Sequence, residues 1–539
     1  MVAANSPAAF LLASSALNRA IDAYFDPTFS DIHKLGWFDW AILIPYFTVL
    51  VILSLYGLHR YEMIRGYLKH KAKGPGAPPQ PFATLPPVTI QLPLYNERYV
   101  VERLIEETVK MDYPKHLLQI QVLDDSTDET HPFTEALCAR YRALGHPVEY
   151  LHRSNRHGYK AGALQEGLTS ATGEFVAVFD ADFIPPQDFL MRTIHSFTDP
   201  KVGMVQTRWT YLNRHYNLLT EIEAMLLDGH FVLEHGARAG GGLFFNFNGT
   251  AGILRRGMID DAGGWQHDTL TEDSDLSYRA QLKGWRFVYI PGVECPSELP
   301  VEMHGFQVQQ SRWSKGLTQV AIKLLPAILR ADLPRRVKAE AFFHLTPNIS
   351  YPLMIVVSAL MLPVMIIRFY MGWVQMVLLD MPLIIASFWS ISAFYMLAHK
   401  ELFPRTWKRA VFLLPVLMSA GVALTIINTR AVLEALFGVQ TSFARTPKYA
   451  IGGGPKVKLE NAKYRSRSGW LPYAEFAIGT YFLSMIAFAI ETLNFLSIPF
   501  LTLFVAGYYW ASLSTLWSEY QGRLRWRRER KLELQRLAG

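Results

Sequence analysis

The sequence predicts a mixed α/β domain inserted between transmembrane helices, and three features of the 539-residue chain support this prediction. Half of the residues are hydrophobic, a share that a water-soluble enzyme of this size rarely reaches. Apolar runs long enough to span a membrane stand on both sides of residues 88–313, which contain none. Within that interval short β-rich runs alternate with helix-like stretches, a rhythm typical of βαβ units and of a mostly parallel sheet.

The first predicted span covers residues 37–60 and follows an N-terminal segment, residues 1–36. Because cytoplasmic flanks carry an excess of Lys and Arg, we expect residues 1–36 to be extracytoplasmic and the chain to enter the cytoplasm near Arg60. The weakly apolar stretch 8–20 has no basic region before it, so a surface helix is favoured over a cleavable signal peptide. Residues 61–87 end in a Pro- and Gly-rich stretch and are predicted to be a linker.

In the central interval acidic clusters follow two of the predicted strands. The predicted strands are residues 88–92, 118–123, 148–151 and 174–179, and the predicted helices between and after them are residues 97–110, 128–144 and 160–170. Asp124 and Asp125 follow the second strand, and Asp180 and Asp182 follow the fourth. Ligands of parallel sheets bind at the carboxyl ends of the strands, so we expect the site at this edge.

After Trp313 the sequence regains membrane character. The candidate spans are residues 349–370, 374–398, 411–429, 476–493 and 497–516. The basic loop 400–409 and the basic tail 518–539 should share the side of the α/β domain, which requires five full spans in all rather than six. The segment 411–429 contains Pro, Gly and Asn, and we expect it to be interfacial or re-entrant.

The composition excludes several classes of function. The two cysteines, Cys138 and Cys295, form no CxxC pair and have no His or Cys neighbours at ligand spacing, which disfavours a disulfide scaffold and a zinc site. The net charge is +7, and much of the positive charge comes from Lys and Arg that flank the apolar segments. Since no basic and aromatic cluster lies within the α/β interval, nucleic-acid binding is disfavoured as well.

The sequence Asp180-Ala181-Asp182 places two carboxylates at one strand end. Such a pair can reach a ribose and a hard divalent cation together, and Mg²⁺ or Mn²⁺ would coordinate carboxylate and phosphate oxygens. An isolated Asp-x-Asp is more often a solvated turn. Its position after an apolar strand favours the functional interpretation here.

Two further tracts allow both a functional and a structural interpretation. Asp273 follows Thr271 and Glu272 at the start of a predicted helix, where it is either a general base or part of an ordinary helix N-terminus. Arg312 could pair with a diphosphate and Trp313 could stack on a sugar ring, although both residue types are also common at membrane interfaces. These alternatives remain open on composition and spacing alone.

The motifs taken in order resemble those of family 2 glycosyltransferases with the GT-A fold, in the processive branch that contains cellulose, chitin and hyaluronan synthases. That branch shows the pattern D, DxD, D, QxxRW, which this chain supplies at Asp124/Asp125, Asp180-x-Asp182, Asp273 and Gln309-x-x-Arg312-Trp313. Longer strings are similar to cellulose synthase-like proteins of the glucomannan-mannosyltransferase and xyloglucan glucan-synthase kind and to their bacterial relatives. They are LPLYNE (92–97), QVLDDSTD (121–128), NRHGYKAGAL (155–164), QTRW (206–209), FNGTAG (247–252) and GGWQHDTLTEDSDLSYRAQLKGW (263–285). The resemblance covers residues 86–320.

The resemblance implies a role for each matching residue. Tyr95, Glu97, Asp124 and Asp125 would hold the nucleobase and ribose, Lys160 and Asp180 would contact the diphosphate, and Asp182 would bind Mg²⁺ or Mn²⁺. Asp273 would be the catalytic base, with Thr271, Glu272, Gln309 and Trp313 on the acceptor side and Arg312 supporting the pyrophosphate. The gating loop of the family, FxVTxK, is matched by Phe443, Thr446 and Lys448, with Arg445 in place of the valine.

With the resemblance, the expected fold is a Rossmann-like GT-A domain, residues 88–316, between membrane helices. The remaining predicted segments are interfacial helices (317–345), membrane helices (346–432), an interfacial helix with the gating loop (433–470), two transmembrane helices (471–517) and the basic cytoplasmic tail (518–539). The tail after Leu516 is too short for the cyclic-dinucleotide-binding barrel of bacterial cellulose synthases. We therefore expect no such domain.

The function implied is processive, inverting β-glycosyl transfer. The enzyme would take hexose from UDP-glucose or GDP-mannose, extend a β-glucan or β-mannan, and move the growing polysaccharide through the bilayer. A multi-pass protein of the bacterial inner membrane with a cytoplasmic catalytic domain is expected. One alternative is a non-processive enzyme that adds one sugar to a lipid, and another is a transporter or channel with a degenerate domain, which the intact set of acidic residues disfavours.

Overall fold

The computed structural model describes residues 35–73, 79–369, 383, 385–441, 448–451 and 469–538, with side chains up to residue 524. Most of the expected N-terminal segment 1–36 lies outside the described residues, as do Phe443 and Thr446 of the expected gating loop.

Seven strands and seventeen α-helices make up the described architecture. The strands are β1 (Val88–Leu94), β2 (Leu118–Asp124), β3 (Val148–His152), β4 (Phe175–Val178), β5 (Val202–Tyr211), β6 (Gly252–Arg255) and β7 (Arg286–Ser297). The helices up to the last strand are α1 (Trp37–Ala72), α2 (Val101–Val109), α3 (Thr130–Ala143), α4 (Tyr159–Ser170), α5 (Phe189–Thr193), α6 (Leu218–Asp228), α7 (Gly236–Gly241), α8 (Arg256–Asp261) and α9 (Glu272–Leu282). Those after it are α10 (Met303–Arg330), α11 (Arg335–Leu345), α12 (Ser350–Phe369), α13 (Ser390–Leu402), α14 (Ala410–Ala423), α15 (Thr425–Leu436), α16 (Leu471–Glu491) and α17 (Ile498–Ala538).

The strands form one sheet in the order β3-β2-β1-β4-β6-β5-β7. All neighbours are parallel except β6, which runs against both β4 and β5. The sheet is therefore mostly parallel, as its sequence rhythm predicts, and the mixed α/β fold between membrane helices is confirmed. Every residue of β1 is buried, including the polar Thr89 and Gln91, because the strand is flanked on both sides by strands and covered on both faces.

Helix α1 is longer than the predicted span and continues through residues 61–72, the first part of the predicted linker. Its 36 residues correspond to a rod of about 54 Å. The charged half stays helical because it contains no Pro and no two adjacent Gly before Gly74. Its side chains also form hydrogen bonds with other parts of the fold. Tyr67 donates a hydrogen bond of 2.8 Å to Glu401, for example. The predicted linker is thus confined to the residues after Ala72.

Four helices of the described part are long and apolar enough to cross a membrane, which makes this chain a membrane protein. They are residues 37–72, 347–369, 471–491 and 495–524. A fifth span is counted if the helix pair Trp407–Ala423 and Thr425–Leu436 crosses as one unit, although its halves are bent by 42°. The bend lies at Leu424 rather than at Pro415, within the segment for which we expect an interfacial or re-entrant course. Much of the candidate span 374–398 lies outside the described residues.

The boundary predicted at residue 316 falls inside α10. This helix begins at Met303, runs for 28 residues and carries Gln309, Arg312 and Trp313 in its first half. The α/β domain and the interfacial segment therefore share one continuous helix, and a rigid element connects the sheet region to the membrane helices.

A buried ion-pair network joins α1, α7 and α11. Arg238 donates from Nε to Glu340 Oε1 at 2.8 Å and from a terminal nitrogen to Glu234 at 3.2 Å. The second oxygen of Glu340 lies 2.7 Å from His59 Nε2. Arg238 and Glu340 are only 3% and 4% exposed, so neither charge can be hydrated if the other is removed.

We expect Arg238→Ala to lower the free energy of unfolding by about 3–5 kcal/mol, because it leaves the Glu340 carboxylate buried without its main counter-ion. Denaturant titration of the protein in detergent measures this change. Arg65→Ala is the matched control, since Arg65 pairs with Glu62 on the surface at 72% and 59% exposure and its loss should change the free energy of unfolding little. Equal effects of the two substitutions would contradict the assignment.

Candidate active site

An open cleft lies at the carboxyl edge of the sheet, against the first half of α10. Its empty volume, including the solvent at its mouth, is about 1240 Å³. Among the described residues, every site residue predicted from the sequence lines this cleft except Asp124. The set comprises Tyr95, Glu97, Asp125, Lys160, Asp180, Asp182, Thr271, Glu272, Asp273, Gln309, Arg312, Trp313 and Lys448.

Strand register brings the first of these residues together. Leu94, the last residue of β1, is opposite Asp124, the last residue of β2, so the turns that follow both strands emerge side by side. Strand β4 pairs in parallel with β1 and ends two residues before Asp180. Because these strands run in the same direction, their side chains converge at one edge although the chain separates them by about thirty residues or more.

One end of the cleft is formed by Tyr95 and Asp125. The guanidinium of Arg153 holds both oxygens of Asp125 at 2.7 and 2.5 Å. The guanidinium of Arg156 lies over the Tyr95 ring, 3.4 Å from its centre. A flat aromatic ring, a cation and a fixed carboxylate can contact a planar base and a ribose hydroxyl.

Asp124 faces away from the cleft, in contrast to the role that the resemblance implies. Its buried carboxylate accepts hydrogen bonds from the backbone N–H of Ser126 at 2.9 Å and from the Tyr150 hydroxyl at 2.7 Å. Successive residues of an extended segment point to opposite sides, so only one of the two aspartates can enter the cleft. Asp124 thus stabilises the end of β2 and the turn that carries Asp125.

Asp124 also belongs to a group with His131 and His152 whose potential ligand atoms lie within 4.8 Å of one another. The Tyr150 hydroxyl bridges Asp124 and His131, at 2.7 and 2.6 Å, and the two imidazole rings are stacked with their centres 3.9 Å apart. The group lies outside the cleft, and its hydrogen bonds fix the ends of β2 and β3.

Lys160 lies at the centre of the cleft, in the first turn of α4. Its ammonium donates to Asp180 Oδ1 at 2.5 Å and to the carbonyl oxygen of Gly249 at 2.9 Å, and Glu272 is 4.0 Å away. Burial lowers the pKa of Lys160, but the neighbouring carboxylates, with Asp180 foremost, outweigh this effect and raise it. A permanent positive charge is therefore held beside Asp180.

Asp182 is buried at the same strand end and forms an ion pair with the ammonium of Lys448. Lys448 is 266 residues away in the sequence and follows the undescribed residues 442–447. The backbone N–H groups of Tyr449 and Ile451 donate to the two oxygens of Glu298, at 2.7 and 3.0 Å. Glu298 thus fixes the segment that carries Lys448 into the cleft.

Asp273 lies in the first turn of α9, where its carboxylate accepts from the N–H of Ser274 at 2.6 Å. Burial raises the pKa of Asp273 to about 7, and the charge of Glu272 adds to this increase. Lys160 and the Ser274 N–H oppose the increase without cancelling it. A carboxyl group with a pKa near neutrality is suited to accept a proton from a hydroxyl group.

Helix α10 closes the cleft on the opposite side. Burial lowers the pKa of the Arg312 guanidinium, and the charges of Glu272, Asp180 and other cleft carboxylates counteract this effect. One turn further on, α10 is pressed against the loop before Asp273, because a Cβ on Gly316 would lie 2.5 Å from Thr271 Cγ2. Only a glycine allows this approach, which sets the distance between Arg312 and the acidic cluster.

Several lining residues were given no role by the sequence. Trp209 and Asn248 lie in strings used to recognise the family, so the motifs indicated their neighbourhood but not their function. Glu298 follows β7 outside any such string, and its contacts with the backbone beyond residue 447 can be seen only in three dimensions.

The comparison with protein families agrees with this geometry. Residues 86–316 match the model of the family described as "Glycosyltransferase like family 2". Residues 86–316 form a family 2 glycosyltransferase domain. The cleft is the carboxyl edge of this domain, and the sheet that builds it has the GT-A-like arrangement that the sequence predicts.

Relatives of this glycosyltransferase domain include plant proteins. A probable glucomannan 4-beta-mannosyltransferase 11 of Oryza sativa subsp. japonica is 44% identical over 249 residues, which are 45% of this chain and 44% of that protein. Glucomannan 4-beta-mannosyltransferase 2 of Arabidopsis thaliana is 43% identical over 253 residues, 46% of this chain and 47% of that protein. The match thus spans less than half the length of these curated relatives.

A mannosyltransferase from Pyrobaculum calidifontis, solved in complex with GDP-Man and Mn²⁺, shares the fold. The two structures superpose with a TM-score of 0.50 at 20% identity, over 73% of this chain and 100% of the other.

We expect Gly249→Ala to abolish most donor turnover by the glycosyltransferase domain. The new Cβ would lie 2.8 Å from Asp273 Oδ2 and 3.5 Å from Lys160 Nζ, so the carboxylate would have to move. Initial-rate measurements on the folded variant test this expectation. Gly145→Ala controls for backbone strain, because Gly145 has nearly the same φ (80° against 79°) and no atom within 4 Å of the added Cβ. Wild-type turnover by Gly249→Ala would show that Asp273 does not need its observed position.

Proposed function

We propose that this protein is a processive, inverting β-hexosyltransferase that extends a β-mannan or β-glucan type polysaccharide and moves it through the membrane. The observation that carries the proposal is the position of Asp273. A carboxyl group with a raised pKa faces the same cleft as the Asp180–Lys160 pair and Arg312, and Arg312 lies on α10, the helix that continues toward the membrane helices.

The donor is a nucleoside-diphosphate hexose, and GDP-mannose is favoured over UDP-glucose. The names of the plant relatives, glucomannan 4-beta-mannosyltransferases, support mannose. Tyr95 with Arg156 above it offers a stacking surface for the base, and Asp125, fixed by Arg153, offers a carboxylate for the ribose hydroxyls.

The reaction is a direct displacement at the anomeric carbon of the donor. Asp273 accepts the proton of the acceptor hydroxyl, the acceptor oxygen forms the new C–O bond, and the bond to the nucleoside diphosphate breaks on the opposite face. An α-linked donor therefore gives a β-linked product. Lys160 and Arg312 offset the negative charge that develops on the departing diphosphate, which is the form of electrostatic stabilisation available in a partly buried cleft.

The carboxylates of Asp182 and Asp180 fit a divalent cation such as Mg²⁺ or Mn²⁺, because both offer hard oxygen ligands at one strand end. When bound, such an ion neutralises charge on the diphosphate. The mannosyltransferase of similar fold was solved with Mn²⁺.

The membrane helices favour a polymer product over a single transfer to a lipid. Trp313 and Gln309 lie on α10 at the acceptor side of the cleft, and α10 contacts the helices that follow it. The basic flanks of the spans favour a cytoplasmic catalytic domain. The plant origin of the relatives lends no support to the bacterial inner membrane expected from the sequence.

We expect kcat/KM for the donor to rise with pH, with a midpoint near pH 7. Asp273 must be ionised to accept a proton, and its pKa is raised to about 7, so activity is lost as the pH falls below that value. Asp273→Asn should reduce turnover roughly 10²–10⁴-fold and remove the rise. Asp260→Asn, a change at a carboxylate that is 63% exposed, should leave rate and profile unaltered. Near-normal turnover by folded Asp273→Asn would exclude this residue as the base.

The product test uses purified protein in lipid nanodiscs with radiolabelled GDP-mannose and UDP-glucose supplied separately. We expect GDP-mannose to give a ladder or a high polymer that a β-mannan-specific hydrolase degrades. Polymer made only from UDP-glucose would change the sugar but keep the reaction class. A lipid carrying one sugar would replace the polymer proposal by the single-transfer alternative, and no turnover of either donor would overturn both.

A further inference from the structure

Lys448 and Asp182 form an ion pair inside the cleft. The Lys448 ammonium contacts Asp182 Oδ2, and the two side chains are only 14% and 7% exposed. The position is maintained by the residues that follow Lys448, because Tyr449 and Ile451 donate hydrogen bonds from their backbone N–H groups to Glu298, itself buried. Lys448 is therefore held in a fixed position in the cleft.

The surroundings of this ion pair are strongly acidic. Glu97 and Asp180 act on the Lys448 ammonium in addition to Asp182. In such a cluster the carboxylates stabilise one positive charge. A divalent cation added next to the ammonium would be repelled by it, and the repulsion would be strong because the two charges would be close together and poorly hydrated. The Lys448 ammonium and a divalent cation can share the cluster only when more negative charge enters the cleft.

We propose that Lys448 competes with the divalent cation for Asp182, so that the cation binds tightly only together with the diphosphate of the donor. The inference rests on the proposed function in one respect, namely that Asp182 is a metal carboxylate. The donor diphosphate brings the negative charge that accommodates the ammonium and the divalent ion at once. Lys448 thereby couples metal binding to nucleotide binding and disfavours a cleft that holds the metal alone.

This coupling has a measurable form. If one ligand changes the affinity of the protein for a second ligand by some factor, the second ligand changes the affinity for the first by the same factor. We expect nucleotide-free Lys448→Met protein to bind Mn²⁺ about tenfold or more tightly than the wild type, within the usual range of such couplings. We expect the enhancement of Mn²⁺ binding by GDP to be reduced by the same factor.

The experiment is a Mn²⁺ titration followed by electron paramagnetic resonance of the full-length protein in nanodiscs, without nucleotide and with GDP or UDP. Lys448→Arg keeps the charge and should retain the weak nucleotide-free binding of the wild type. Lys283→Met, which removes a 52% exposed lysine paired with Asp261 outside the cleft, should also behave as the wild type. Asp182→Asn should weaken Mn²⁺ binding in every state and thereby identify the site.

The outcomes separate this inference from the proposed function. Tighter Mn²⁺ binding by Lys448→Met alone supports the competition, whether or not the variant transfers sugar. Equal nucleotide-free affinities of folded Lys448→Met and wild type overturn the competition, while sugar transfer by the wild type leaves the proposed function intact. Absence of Mn²⁺ binding by both proteins even with GDP overturns the competition, and absence of sugar transfer in the separate product test overturns the proposed function.

Discussion

Mutual repulsion among carboxylates is the constraint on which the cleft depends. Parallel strands deliver several acidic side chains to one edge, and a group buried there becomes costly to ionise unless a cation accompanies it. Seven carboxylates and four cations line the cleft, among them Asp180, Asp182, Glu272 and Asp273 with Lys160, Arg312 and Lys448. Burial and the charge of Glu272 raise the pKa of Asp273 in spite of the neighbouring Lys160. The same imbalance that disfavours its charge makes it suited to take up a proton.

Three of these cations come from different parts of the chain. Lys160 begins α4, Arg312 lies within α10, and Lys448 follows the membrane helices. Charge compensation therefore requires the α/β domain, the connecting helix and the segment beyond α15 to be in place together. The acidic edge of the sheet is stabilised only in the assembled protein, which links the integrity of the site to the folding of the whole chain.

Helix α10 provides the mechanical connection between the cleft and the membrane helices. On its cleft side Gly316 allows contact with Thr271. On its other side Gln307 donates to Glu475 of α16 at 2.6 Å and to the carbonyl of Ala423 at 3.1 Å, and Lys315 pairs with Glu434 at 2.9 Å. These contacts are buried or partly buried, so α10 holds the cleft and the apolar helices in a fixed relation. An acceptor that leaves the cleft along this helix would meet the membrane helices directly.

Local patterns predicted much of the fold because they report local physics. Strands β2 and β3 and helices α3 and α4 begin and end within two residues of the predicted positions, since alternating apolar residues and turn residues fix these elements. Helix α1 was underestimated because the prediction ended it where the apolar run ended. Hydropathy indicates the length of an apolar span, but it does not predict a charged helical extension that is stabilised by contacts with residues such as Glu401.

The sequence by itself determined the class of the domain, most of the apolar spans and about half of the residues that line the cleft. These are properties of residue type, order and spacing, and the order of the acidic motifs was specific. Only the tertiary structure decided that Asp124 faces away while Asp125 faces the cleft, that Glu298 anchors a distant segment, and that Lys448 contacts Asp182. Side-chain direction and contacts between residues far apart in the chain follow from strand register and helix packing, which no local pattern encodes.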